Sequence, residues 1–339
     1  MTLQQPLLEV DDLRVEFHQA KGVTRAVDGL SLTIRPGRTL GLIGESGCGK
    51  SATALSAMGL LPSSARTAGA IRFRGTDLLR LAEPQMRKIR GAQIAMVFQD
   101  AMTALNPVMT IGAQVAEVMR IHGESRAEAK ERAVELLRLL EIPEPARRVQ
   151  EYPHQLSGGM RQRVVTAMAL ACNPDVLIAD EPTSALDVVT QAQLIDHIRK
   201  LQQRFGMGIL LITHDFGVLA RGCDRVVVMY AGRKVEEADV DELFERPLHP
   251  YTHALLDATP SINALSKRLL NLPGQLAAPS GSSQGSAFAP RCPHANARCH
   301  TETPLLVEHA SVAGSLDPRQ VACFAVEEGR LRAAYGAFA

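Results

Sequence analysis

The chain has 339 residues, 46% hydrophobic and 22% charged, an ordinary globular composition with room for one large domain and an appendage. A formal net charge of +1 supplies no long-range field to attract nucleic acid, and 4% aromatics with no tryptophan leave no stacking platform for bases or sugars. The longest apolar runs fall far short of the roughly 20 residues that cross a bilayer, and residues 1–12 lack a basic flank followed by an apolar core, so no export signal is expected.

In chain order, short apolar runs alternate with longer helical patterns, which predicts a mostly parallel α/β sheet. Residues 39–43 read as a buried strand running into a glycine-rich turn, and residues 50–61 as the helix that follows. Residues 94–98, 176–179, 209–213 and 225–230 read as further buried strands. Between the first two of these, residues 125–141 carry Ala, Leu and Val at helical spacing with charges opposite, an amphipathic helix inside a helical insertion of about 99–172. From about residue 246 the chain changes character. Pro247, Pro250, Pro260, Pro273, Pro279 and Pro290 break it up, and residues 281–285 resemble a linker. The expected division is a main domain over 1–245 and a separate, loop-rich extension over 246–339. Cys48, Cys172 and Cys223 are scattered, as reduced intracellular thiols are, while Cys292, Cys299 and Cys323 cluster near the end.

Gly44-Glu45-Ser46-Gly47-Cys48-Gly49-Lys50-Ser51, followed by Ala52, fits G-x-x-x-x-G-K-[ST] and lies between a predicted strand and a predicted helix, the context that this pattern requires. Glycines let backbone N–H groups curl around phosphate oxygens, and the helix N-terminus adds its dipole. Lys50 can reach the β- and γ-phosphates of a nucleotide and the Ser51 hydroxyl can bind Mg²⁺. The strand 176–179 then delivers Asp180 and Glu181 at its carboxyl end, where ligands of α/β sheets sit. Asp180 is expected on Mg²⁺, and Glu181 on the hydrolytic water. A solvated turn is the plain alternative for such a pair, and the phosphate loop upstream argues against it. The strand 209–213 ends at His214, which is expected to meet the γ-phosphate; a satisfied structural histidine is its alternative.

Leu156-Ser157-Gly158-Gly159-Met160-Arg161-Gln162-Arg163 resembles the signature of ABC transporter ATPases. Physically it is a second anion site, with Ser157, Gly158 and Gly159 opening a helix whose N–H groups can hold phosphate. The resemblance implies an α/β P-loop NTPase (RecA-like) core with a helical subdomain, and a head-to-tail dimer in which this segment closes over the partner's ATP. It also implies roles for further residues. Gln99 resembles the glutamine that meets Mg²⁺ and the water, Ser184-Ala185-Leu186-Asp187 resembles the loop along the dimer interface, and Phe17 matches the aromatic that stacks on adenine, where the family more often has Tyr.

Phe98-Gln99-Asp100-Ala101-Met102-Thr103-Ala104-Leu105-Asn106-Pro107 and His249-Pro250-Tyr251-Thr252-His253-Ala254-Leu255-Leu256 are similar to segments of the ATPases of dipeptide and oligopeptide importers. Gly159-Met160-Arg161 resembles their D-type subunit. The implied partners are a homologous F-type ATPase, two membrane permease subunits and an extracytoplasmic solute-binding protein, at the cytoplasmic face of the membrane and without nucleic acid. Peptides are the expected solute, with nickel or glutathione as alternatives. A soluble ABC ATPase of DNA repair or translation is the rival class; it typically has two fused cassettes or a long coiled coil, and neither is present here. The subfamily often carries four cysteines for an iron–sulfur cluster. Cys292, Cys299 and Cys323 match the last three, but Ser286 stands at the first. Three readings stay open at this point: a [4Fe–4S] cluster on three thiolates, zinc with His294 or His300, or a relic site of reduced thiols.

Overall fold

The computed structural model describes residues 5–19, 22–99, 101–184, 186–258, 285–311, 315 and 317–331. Its strands are β1 (Leu8–Gln19), β2 (Gly22–Ile34), β3 (Thr39–Ile43), β4 (Ala65–Phe73), β5 (Thr76–Asp77), β6 (Ile94–Val97), β7 (Val176–Asp180), β8 (Gly208–Ile212), β9 (Arg225–Tyr230), β10 (Arg233–Asp239), β11 (Val307–His309) and β12 (Arg319–Val321). An antiparallel sheet has the order β2-β1-β4-β5, and the larger sheet has the order β11-β12-β10-β9-β3-β8-β7-β6. From β9 to β6 the larger sheet is parallel, with β3 between β8 and β9.

Every residue of β3, β7 and β8 is buried, as expected of central parallel strands covered on both faces. Alternate side chains divide between those faces. Leu40, Leu42, Ile178, Leu210 and Ile212 pack toward the antiparallel sheet and the helix Lys50–Ala57. Leu177, Ala179, Ile209, Leu211 and Val226 pack toward the helical layer on the other side.

The chain between β6 and β7 is helical and includes Ile111–Ile121, Arg126–Leu139 and Gly158–Ala169. Ser125 starts the second of these with a capping box. Its Oγ accepts from Glu128 N at 3.3 Å and its own N–H donates to Glu128 Oε2 at 3.2 Å. Ala129, Ala133, Leu136 and Leu137 form the buried stripe. The helix after the glycine-rich loop is shorter than the predicted 50–61. It ends at Ala57 because Gly59, at φ 60°, turns the chain left-handed while Gly59 N donates to Ser56 O and Leu60 N to Leu55 O.

Residues beyond 246 were expected as a separate extension, and the packing is closer than that. β12 pairs antiparallel with β10 and β11 pairs with β12, so the late chain adds two strands to the edge of the main sheet. Arg319 fixes this junction. Its guanidinium lies 2.5 Å from Glu236 and 3.4 Å from Glu242, all three side chains being buried, and it also donates to the carbonyl of Arg246. Glu236 in turn accepts from Leu248 N and His249 N. The change in composition near 246 is therefore not a break in packing. Pro260, Pro273, Pro279 and residues 281–284 of the linker-like stretch lie outside the described residues. Among the described residues, no helix is long and apolar enough to cross a membrane.

Candidate active site

The carboxyl ends of β3, β6, β7 and β8 meet at one edge of the sheet. The glycine-rich loop leaves β3 there, and its shape excludes side chains at two points. A Cβ at Gly44 would lie 2.2 Å from Met229 O, and one at Gly49, at φ 107°, would lie 2.3 Å from Ala26 O. Neither contact is tolerable, so the loop is held tightly between β9 and β2. Lys50 opens the following helix and folds back over the loop. Its Nζ donates to Gly44 O at 2.7 Å and Glu45 O at 3.1 Å, and the side chain is buried. These carbonyls keep the ammonium partnered and aimed along the loop.

Asp180 ends β7 beside this loop. Burial pushes its carboxyl up from the ordinary carboxylate range, a hydrogen bond from the Ser51 hydroxyl and the charge of Lys50 pull it down, and Glu181 adds to the rise. One oxygen, Oδ1, is buried without any hydrogen-bond partner. An orphaned carboxylate oxygen beside a serine hydroxyl is costly unless something positive completes it. Ser51 and Asp180 therefore fit Mg²⁺.

The next residue, Glu181, has φ 49°, a left-handed conformation that non-glycine residues rarely adopt. Its N–H donates to Ile212 O at 2.9 Å, which ties β7 to the end of β8. This turn brings the Glu181 carboxylate to two polar groups. Gln99 Nε2, just after β6, donates to Oε2 at 3.1 Å, and His214 Nδ1, just after β8, lies 3.3 Å from Oε1. Three strand ends thus bring Gln99, Glu181 and His214 into one cluster. His214 remains largely exposed and can turn toward a bound group.

The other expected residues are placed less completely. Ser157 caps the helix Gly158–Ala169, its Oγ accepting from Met160 N at 3.4 Å, and Ser157 and Gly158 are exposed. Asp187 caps the helix Val188–Phe205 by accepting from Val189 N and Thr190 N; Ala185 lies outside the described residues. Phe17 is half-buried in β1, opposite Thr24 and Ala65. Sequence reasoning missed Tyr251 and Arg291, both of which bond Glu45 in the glycine-rich loop. Nothing local could have flagged Arg291, which is 246 positions from its partner.

The iron–sulfur expectation is not supported. Ser286, Cys292, Cys299 and Cys323 do line one cavity, with His249 and His294, but its volume of about 20 Å³ is room for roughly one water. A four-iron cube with its sulfides is several times larger. Burial pushes the Cys292 thiol up to about 11 and raises that of Cys323. Cys299 Sγ lies 3.2 Å from Asn296 Oδ1. Among the described residues, no group of three or more His, Cys, Asp or Glu side chains is placed to hold a metal ion. The same finding gives no support to zinc held with His294 or His300.

Residues 27–184 match the ABC transporter family and residues 235–299 match the oligopeptide/dipeptide transporter C-terminal region. A probable peptide ABC transporter ATP-binding protein of Sinorhizobium fredii is 52% identical over 89% of this chain and 91% of its own. The chain belongs to the ABC transporter ATP-binding subunits of the oligopeptide/dipeptide type. The oligopeptide transport ATP-binding protein AppD of Bacillus subtilis is 48% identical over 95% of this chain and 97% of its own. OppD of Salmonella typhimurium is 47% identical, covering 88% and 90%. Among solved structures, a dimeric post-hydrolysis state of an ATP-binding cassette bound to ADP and Pi is 28% identical with a TM-score of 0.62. It covers 69% of this chain and 98% of that chain. The fold is that of the P-loop cassette, and the protein is an ATPase.

Proposed function

We propose that this ATPase powers peptide import, paired head-to-tail with a homologous F-type subunit beneath two membrane permease subunits fed by an extracytoplasmic solute-binding protein. It would then lie at the cytoplasmic face of the membrane. The peptide assignment is supported by the match of residues 235–299 and by the names of the relatives. The hydrolytic assignment rests on one observation above the others: Glu181 is turned by its left-handed backbone toward Gln99 and His214, next to the Ser51–Asp180 pair.

Each residue then has a task. Backbone N–H groups of the loop from Gly44 to Ala52 cradle the phosphates, except that of Glu45, which donates to the Tyr251 hydroxyl, and Lys50 exchanges its loop carbonyls for phosphate oxygens. Ser51, Asp180 and Gln99 would hold Mg²⁺, which would supply neutralisation of the charge that develops on the phosphates. Glu181 orients the attacking water and accepts its proton, Gln99 keeps Glu181 in place, and His214 swings to the γ-phosphate. Phe17 stacks on adenine. Ser157, Gly158 and Gly159 act on the partner's nucleotide. Val188 and Val189, 78% and 68% exposed beside Asp187, are apolar surface suited to that interface.

The test is reconstitution of all four membrane-associated subunits in vesicles with ATP on the side of this chain and the solute-binding protein on the other. Labelled di- and oligopeptides are expected to accumulate and to stimulate hydrolysis. Accumulation of nickel or glutathione without peptides would overturn the peptide assignment.

A further inference from the structure

Glu45 is an unexpected residue for its place. It is the second position of a loop that must attract phosphate, and a carboxylate there opposes that task. The structure surrounds this one residue with partners from outside the loop. Arg291 donates through Nη2 to Glu45 Oε1 and through Nη1 to Glu45 Oε2, both at 2.9 Å, a bidentate pair. The arginine side chain is 7% exposed. Its Nη1 also lies 3.2 Å from Tyr230 Oη, and its charge sits over the Tyr230 ring. Tyr251, fully buried, accepts from Glu45 N–H through its hydroxyl at 2.9 Å. Tyr230, Tyr251 and Phe288 pack ring against ring with centroids 4.7 to 5.4 Å apart, so the platform beneath Arg291 is rigid. The Glu45 carbonyl, finally, is one of the two acceptors that hold Lys50.

We propose that Arg291, from the late extension, is a positioning residue for ATP binding: it neutralises Glu45 and pins the phosphate loop in its binding shape. The extension thereby forms part of the nucleotide site's support, which explains why it is built onto the main sheet. Removing the guanidinium leaves an unpaired carboxylate in an anion-binding loop. One unit charge at roughly 10 Å and an effective dielectric of about 20 changes anion affinity by about tenfold.

The inference rests on reading residues 44–51 as the phosphate loop, and the experiment separates the two. Mg-ATP affinity is titrated on the full chain, and kcat and KM are measured on the reconstituted transporter, for Arg291→Ala, Arg291→Lys, Arg291→Ala with Glu45→Gln, Glu45→Gln and Lys50→Ala. Arg291→Ala is expected to raise Kd and KM about tenfold with kcat within about twofold, and Arg291→Lys to recover part of the loss. In the Glu45→Gln background, Arg291→Ala is expected to cost little, because the charge it compensates is gone. A purely structural role would give the same cost in both backgrounds, and that result overturns the proposal, as does unaltered affinity in Arg291→Ala. Should Arg291→Ala fail to fold, Arg291→Lys read in both Glu45 backgrounds decides by the same comparison. If Lys50→Ala binds ATP normally, the phosphate-loop reading falls and the inference with it. If Lys50→Ala loses ATP while Arg291→Ala does not, only the inference falls.

Discussion

Replacing Glu181 with Gln tests the chemical step with little disturbance of shape. The amide is isosteric with the carboxylate, and its oxygen can still accept from Gln99 Nε2, which now lies at 3.1 Å. The backbone at φ 49° is as strained for Gln as for Glu, so no relief of the turn confuses the comparison. What disappears is the proton acceptor. Loss of general-base catalysis is worth about 10²- to 10⁴-fold, or about 3–5 kcal/mol of barrier. Loss of one ordinary hydrogen bond, to His214, is worth about 1 kcal/mol, roughly a fivefold effect. The two roles of Glu181 are therefore separated by magnitude. Single-turnover hydrolysis is measured in the reconstituted transporter, with Mg-ATP affinity titrated alongside. Hydrolysis is expected to fall by at least about 100-fold with affinity within about threefold of wild type. A fall of fivefold or less would make Glu181 a structural partner of His214 and Gln99 and remove it from the chemical step.

Three further predictions probe other parts of the molecule. Ser157→Arg fills the exposed helix N-terminus and is expected to abolish hydrolysis at the composite site on the partner's phosphate loop, while this chain alone still binds ATP; loss of binding by the isolated variant would count against the head-to-tail arrangement. His249 is held neutral in the fold, burial lowering it to about 4 while its Nδ1 accepts from Tyr251 N. The unfolded chain, titrating near 6.5, then binds more protons between pH 6.5 and 4, so stability from this group is full above 6.5 and declines as pH falls, by at most about 3 kcal/mol. His249→Asn, which caps without titrating, is expected to flatten the acid side of the unfolding free energy against pH, and an unchanged slope would refute it. Anaerobically purified protein is expected to contain near-zero iron, whereas about four iron atoms per chain would show that the small thiol cavity opens to take a cluster.

The chemistry of this protein is written in contiguous residues, which is why it can be read without coordinates. Residues 44–51 carry the loop chemistry in eight consecutive positions, residues 176–181 carry a buried strand with its carboxylates attached, and Ser125 with Glu128 marks a helix start by local hydrogen bonding alone. Periodicity located the central strands because a strand buried on both faces must be apolar throughout. The long antiparallel strands β1, β2 and β4 gave no such signal, since they mix exposed charge with core residues.

Only the tertiary structure decided which strand ends meet. Gln99, Glu181 and His214 cluster because β6, β7 and β8 are parallel neighbours in register, a consequence of how the whole sheet buries itself. It also decided that the proline-broken late chain returns to the sheet edge through Arg319 and Glu236, a buried pair whose partners lie 83 positions apart. The cysteine spacing left a cluster, zinc or reduced thiols open, and the cavity of about 20 Å³ that these side chains line gives no support to a cluster. The bond from Arg291 to Glu45 belongs to the same class. A sequence specifies its local conformations residue by residue, but a long-range partner is chosen by burial, charge and geometry together, and these exist only once the chain has folded.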